Sequence, residues 1–169
     1  MEVIWAPWRM EYIVSDQKAD KCIFCPGESR DNDEERLILF VGQYTMIMMN
    51  RFPYINGHLL VSPVRHVSDL SALSRKETFD LLDMVSKSVK VLKKVMSPEG
   101  FNIGLNLGRV AGAGIDSHIH FHIVPRWGGD TNYMSVLAEV RVIPEHIKNT
   151  YNKLMPHFKE FNNISGGDA

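Results

Sequence analysis

The chain has 169 residues, room for one domain and a modest appendage against a prior of roughly 150 residues per domain. With 44% hydrophobic and 23% charged residues, it is neither a mainly disordered chain, a collagen-like fibre nor a disulfide-rich miniprotein. Nineteen Lys plus Arg against twenty Asp plus Glu leave a formal charge of −1, so no overall field draws it to nucleic acid or an anionic membrane, and a bound phosphate must be captured locally.

Met1-Glu2-Val3-Ile4-Trp5 lacks the basic start, apolar stretch and small-residue cleavage site of a secretory signal. The uncharged stretch Leu37 to Asn50 falls short of the roughly 20 apolar residues of a membrane helix. The expectation is a cytoplasmic protein with no partner among membranes or nucleic acids. Pro26 to Arg36 is crowded with charge and reads as a solvated loop. Leu37 to Val41, Tyr44 to Met49 and His58 to Ser62 read as consecutive antiparallel strands, joined by Gly42-Gln43 and by Pro53 to Gly57. Met46, Met48 and Met49 are expected to fill core or a dimer interface.

Ser74 and Glu77 have capping-box spacing. Leu81, Leu82, Val85, Val89, Leu92 and Met96 repeat at helical intervals until Ser97-Pro98-Glu99-Gly100 stops them. Phe101 to Leu107 returns to strand character, Gly108 to Gly114 is a glycine- and alanine-rich turn, and Ser117 to Val124 alternates as a strand. Glu145 to Leu154 reads as a helix and Asn162 to Ala169 as a frayed tail. The fold class is α+β, an antiparallel sheet with one long packed helix and a short C-terminal helix.

His118-Ile119-His120-Phe121-His122-Ile123-Val124 carries the most chemical information. On a strand the three imidazoles share one face, about 6.6 Å apart, while Ile119, Phe121 and Ile123 pack behind them. They suit two chemistries. One is chelation of a catalytic metal; the other is nucleophilic attack at phosphorus, because imidazole is largely neutral near pH 7 and forms a labile phosphoramidate. The stretch Asn106 to Gly114 just before it favours the second, offering backbone N–H groups that can surround phosphate oxygens.

These residues resemble the histidine triad (HIT) nucleotide hydrolases and transferases, whose His-x-His-x-His-x-x signature has hydrophobic x. Asn50-Arg51-Phe52-Pro53 and Asn56-Gly57-His58-Leu59-Leu60-Val61 look like that family's upstream segment. The resemblance implies His120 as the nucleophile at the α-phosphorus, His122 on the phosphate oxygens and His58 supporting the triad. It also implies Asn50 on the ribose, Leu60 at the adenine and Asn106, Gly112 and Gly114 on the phosphates. Trp5-Ala6-Pro7-Trp8-Arg9-Met10-Glu11-Tyr12 and Pro125-Arg126-Trp127-Gly128-Gly129-Asp130-Thr131-Asn132-Tyr133-Met134 look like the branch with diadenosine tetraphosphate phosphorylases. Arg126 and Trp127 join the expected substrate contacts there. Some phosphorylases of the branch have Gly-Gly-Ser where this chain has Gly112-Ala113-Gly114, so phosphate and water both remain as acceptors.

The two cysteines form Cys22-Ile23-Phe24-Cys25. By themselves they fit a redox pair or half of a tetrahedral zinc site whose other ligands histidine can supply. The resemblance implies the second, a structural zinc held by Cys22, Cys25, His66 and His118. It further implies a homodimer acting on a small adenine dinucleoside polyphosphate. The expected division is an N-terminal arm over 1–21, a HIT domain over 22–134 and a C-terminal helical extension and tail over 135–169.

Overall fold

The computed structural model describes residues 22–130 and 143–164. The arm 1–21 with Trp5 and Trp8, residues 131–142 and the end of the tail, 165–169, lie outside the described residues. The elements are β1 (Ile38–Val41), β2 (Thr45–Met49), β3 (Leu59–Pro63), helix α1 (Arg75–Met96), β4 (Gly100–Leu105), β5 (Phe121–Arg126) and helix α2 (Ile147–Ile164). Every strand pairing is antiparallel, in the order β1-β2-β3-β5-β4. The fold is α+β as expected.

Strand alternation sorts residues by face. Ile47, Met49, Leu59, Val61 and Ile123 face the helices, where Leu81, Met84, Val85, Val91 and Leu92 of α1 and Tyr151, Leu154 and Phe158 of α2 complete the main core. Met46, Met48 and Leu60 face the other way and form a second apolar cluster with Phe24 and Ile38. The three methionines of β2 are all core, none more than 6% exposed.

Helix α1 starts where its side chains can satisfy its free N–H groups. Ser74 accepts from the Glu77 N–H while the Glu77 carboxylate accepts from the Ser74 N–H, a complete capping box. It stops at Ser97, which turns left-handed at φ 49°. The adjacent turn comes so close that a Cβ on Gly57 would lie 2.6 Å from the Met96 sulfur, and Gly57 itself has φ +77°. Only glycine fits there without strain.

Most strand ends fall within two residues of expectation, and the larger differences have local causes. The histidine segment becomes a strand only at Phe121, because Val67 O takes the Ile119 N–H at 2.8 Å and draws residues 118–120 off the sheet. Strand β4 ends at Leu105, not Leu107, and the glycine-rich turn contains a 3-10 turn over Arg109–Ala111. Helix α2 starts two residues later than expected and runs on to Ile164, through Pro156 and into the expected tail, its buried Leu154 and Phe158 giving it core to hold.

Arg65 ties the exit of β3 to the start of α1, with Nε and Nη2 donating to the two Glu77 carboxylate oxygens at 2.7 and 2.9 Å. Arg65 and then the Ser74 N–H hold the Glu77 carboxyl down at about 2. A pKa lowered in the folded state stabilises the fold above the unfolded value and loses that contribution as pH falls towards 2. Glu77→Gln is therefore expected to cost about 2 kcal/mol near neutrality and to flatten the loss of stability below about pH 4.5. Denaturant melts from neutrality to acid pH check this; a variant as acid-sensitive as the parent contradicts it.

Candidate functional site

The sheet face away from the helices gathers most of the expected residues. Leu60 pairs with His122 and Gly104 with His122. The β2–β3 pairing runs on to Asn50 and His58, putting both on this face at one end, and Asn106 follows directly on Leu105, the residue paired with Phe121. The four histidines then form a linked series. The His58 and His122 rings are 5.1 Å apart and the His120 and His122 rings 5.0 Å apart, closer than two strand residues would be. His118 instead lies 4.9 Å from His66.

Hydrogen bonds to partners of fixed polarity determine which ring nitrogens carry protons. The Tyr54 N–H and the Asn50 Nδ2 amide both donate to His58 Nδ1, each at 3.2 Å. The Asn50 amide is oriented in turn by the Phe52 N–H donating to Oδ1 at 3.0 Å. His58 therefore holds its proton on Nε2 and donates it to His122 Nδ1 at 2.9 Å. That leaves His122 a proton on Nε2. His120 Nδ1 donates to the His118 carbonyl at 2.9 Å, so His120 Nε2 carries a lone pair, and it has no hydrogen-bond partner among the described residues. His118 Nε2 donates to the Pro63 carbonyl at 2.9 Å, which directs the lone pair of its Nδ1 to the cysteines.

Burial disfavours the charged form of the three motif histidines. It pushes His122 down to about 4, helped by the neighbouring His120. Burial also lowers His120 and His118, opposed by the backbone hydrogen bond each makes. The site thus presents, side by side, an acceptor nitrogen on His120 and a donor N–H on His122, the pair that attack at phosphorus and stabilisation of its oxygens require.

Cys22, Cys25, His66 and His118 bring their ligand atoms within 4.8 Å of one another. A tetrahedral zinc with bonds of about 2.3 Å to sulfur and 2.0 Å to nitrogen sets a sulfur to nitrogen spacing of about 3.5 Å. Cys22 Sγ lies 3.4 Å and Cys25 Sγ 3.8 Å from His118 Nδ1, and Cys25 Sγ lies 3.3 Å from His66 Nδ1. The donor set and spacing fit a four-ligand metal. Among the described residues no potential metal-binding group includes His120 or His122, so the geometry gives no support to three histidines sharing one catalytic ion.

Other expected contacts stand elsewhere or are already engaged. Leu60 is buried in the second apolar cluster, 6% exposed. Arg126 lies about 13 Å along the strand from His122, and its guanidinium is committed to the Asp130 carboxylate and to Asn102 Oδ1. Trp127 lines a cavity of about 580 Å³ with Val95 and Met96 of α1 and Thr150 and Lys153 of α2, away from the histidines. In the glycine-rich turn, the N–H groups of Ala111, Gly112 and Ala113 bond within the turn, and Arg109 pairs with Asp116. Gly112, at φ +92°, has the Asn106 amide at its side, 3.6 Å from where a Cβ would stand, while Gly114 is exposed.

Three contributors went unassigned in the sequence. Phe24 stacks on His120 with ring centroids 4.4 Å apart and planes 23° apart. Tyr54 lies nearly parallel to His122, 12° apart at 5.9 Å. Arg36, from the charged loop, donates to the carbonyls of Ile23 and Cys25 at 2.8 Å and clamps the cysteine turn. An aromatic between paired cysteines was a legible signal; the reach of Arg36 was not.

Imidazole ¹⁵N NMR at pH 7 is expected to find His120 protonated on Nδ1 and His122 on Nε2. The reverse tautomer at either ring contradicts the hydrogen-bond assignment.

A HIT domain model matches residues 32–129, more than half of the chain. An AP-4-A phosphorylase of Mycobacterium tuberculosis is 36% identical over 162 residues, spanning 89% of this chain and 80% of that protein. A bis(5'-nucleosyl)-tetraphosphatase (asymmetrical) of Schizosaccharomyces pombe is 40% identical over 82 residues, 48% of this chain and 44% of that one. A zinc-bound histidine triad family protein from Mycobacterium smegmatis shares the fold at a TM-score of 0.60 and 21% identity, covering 76% of this chain and 87% of its own. The domain match, the long alignment and the ordered histidines together make the chain a member of the HIT family.

Proposed function

We propose that the protein splits dinucleoside polyphosphates, diadenosine tetraphosphate foremost, at the α-phosphate through a nucleotidyl-His120 intermediate. The observation that carries this reading is the His120 Nδ1 hydrogen bond to the His118 carbonyl, which reserves the Nε2 lone pair for phosphorus. His120 Nε2 attacks the α-phosphorus, the bond to the bridging oxygen breaks, and ATP leaves. The His122 Nε2–H stabilises charge on the phosphoryl oxygens and supplies a proton towards the leaving oxygen. His58, held by Asn50 and the Tyr54 N–H, positions His122. Asn106, next to Leu105 at the end of β4, meets the phosphates beside Gly112 and Gly114, and Asn50 bounds the nucleoside end, with Leu60 packed behind the site. Arg126 and Trp127 stand at the rim, where they face the distal nucleotide.

Transfer of the adenylyl group to phosphate regenerates His120 and yields ADP; transfer to water yields AMP. The long alignment with a relative named for phosphorolysis supports phosphate, while Ala113 and Gly114 provide no hydroxyl to hold it. Diadenosine tetraphosphate incubated with inorganic phosphate is expected to give ADP and ATP, and without it AMP and ATP at most. His120→Ala is expected to lower turnover on the order of 1,000-fold or more while AMP still binds; substantial residual turnover contradicts the nucleophile.

We also assign zinc to Cys22, Cys25, His66 and His118. With four protein ligands it has no open position for water and serves to crosslink the cysteine turn, the exit of β3 and the histidine segment. Burial and the neighbouring Cys22 raise the Cys25 thiol pKa in the apo state, a preference that a bound divalent ion reverses. Elemental analysis is expected to find one zinc per chain, and Cys25→Ser to lower the melting midpoint by roughly 5–10 °C. Metal-free protein of unchanged stability contradicts this. A homodimer through β4 is consistent with that strand's place at the end of the sheet among the described residues, with Ile103 on it and Leu107 just past it exposed.

A further inference from the structure

We infer that Phe24 is a positioning residue for His120, fixing the tilt of the imidazole so that its Nε2 lone pair points in line at phosphorus. The inference rests on His120 being the nucleophile. One hydrogen bond, from Nδ1 to the His118 carbonyl, holds one edge of the ring and restrains its rocking about the Cβ–Cγ bond only through the soft angular dependence of a hydrogen bond. The lone pair of Nε2 lies in the ring plane, so such rotation swings it off the line of attack. A flat contact over the ring face removes that freedom, and Phe24 supplies it, at 4.4 Å and 23°. His122, the other ring against His120 among the described residues, meets it at 58°, presenting no parallel face.

The Phe24 ring is itself immobilised. It is 1% exposed and packs with Ile38, Met46, Met48 and Leu60. Its backbone sits in a turn closed by the Cys25 N–H to the Cys22 carbonyl at 3.1 Å and clamped by Arg36 on the carbonyls to either side. Both restraints on His120 thus come from segments carrying cluster ligands: the carbonyl of His118 and the residue between Cys22 and Cys25. The four residues of the Cys/His cluster are thereby joined to His120 through Phe24 and the His118 carbonyl.

The test uses full-length wild type, Phe24→Leu and Phe24→Met, both of which keep the site apolar and remove the flat face. Three quantities are measured: the single-turnover rate of nucleotidyl-enzyme formation from diadenosine tetraphosphate, AMP affinity by calorimetry, and zinc per chain. The expected result is a rate lower by roughly 10- to 100-fold, the scale of a misaimed reacting group, with AMP affinity and zinc content unchanged. Overturning results are a folded variant within about twofold of the wild-type rate, a loss of AMP affinity matching the loss of rate, loss of zinc, or failure of both variants to fold, each of which makes Phe24 packing, a binding wall or a scaffold for the cluster. If wild type forms no adduct at all, the nucleophile reading fails, and this inference with it.

Discussion

A carbonyl oxygen can only accept a hydrogen bond, and the arrangement of protons on these imidazoles follows from that restriction. Because the His118 carbonyl takes the proton of His120 Nδ1, the opposite nitrogen of the ring is left bare. Because the Pro63 carbonyl takes the proton of His118 Nε2, the opposite nitrogen of that ring is left bare as well, and turned to the cysteines. Two neighbouring histidines of one motif acquire different capabilities from backbone acceptors alone. The third is set from farther away, through two donors on His58 Nδ1 that force its Nε2 proton onto His122. No ionised partner is needed, in keeping with burial that lowers all three imidazoles.

The sheet makes these contacts possible by dividing its residues between two faces. Leu59, Val61 and Ile123 bury against the helices, and the alternate positions of the same strands hold His58, Leu60 and His122. The first face holds the main core and the second holds the histidines. Where the histidine segment leaves the sheet before Phe121, it gains the contacts with Val67 and Pro63 that a continuous strand would forgo. His118 occupies the junction, with its side chain toward the cysteines and its carbonyl on His120. Its side chain thus ties the segment to Pro63 and the cysteines while its backbone holds His120.

How much of this was legible depends on distance along the chain. The α1 cap was readable because Ser74 and Glu77 are three residues apart and satisfy each other locally. The paired faces of β2, β3 and β5 were readable from alternation, as was the company of His58 with the triad through the motif. The cysteine cluster needed the family resemblance, since nothing between Cys25 and His66 indicates that the chain returns. Less legible were features decided by tertiary competition. The alternation of Ser117 to Val124 continues a strand pattern that the Val67 carbonyl interrupts. Arg126 looked like a phosphate ligand because its own partner, Asp130, lay four residues away with no pattern to flag it. The glycine-rich turn looked like a ring of free donors, yet closes part of that ring on itself. Phe24 was in view between the cysteines, but only the fold brings it onto His120.

The most direct measurement is peptide mapping by mass spectrometry of protein quenched during turnover of diadenosine tetraphosphate. The account predicts an acid-labile adenylyl group on the peptide containing residues 118–122, attached at His120. An adenylyl group on another residue, or turnover with no covalent species under conditions where its formation outpaces its breakdown, would contradict it.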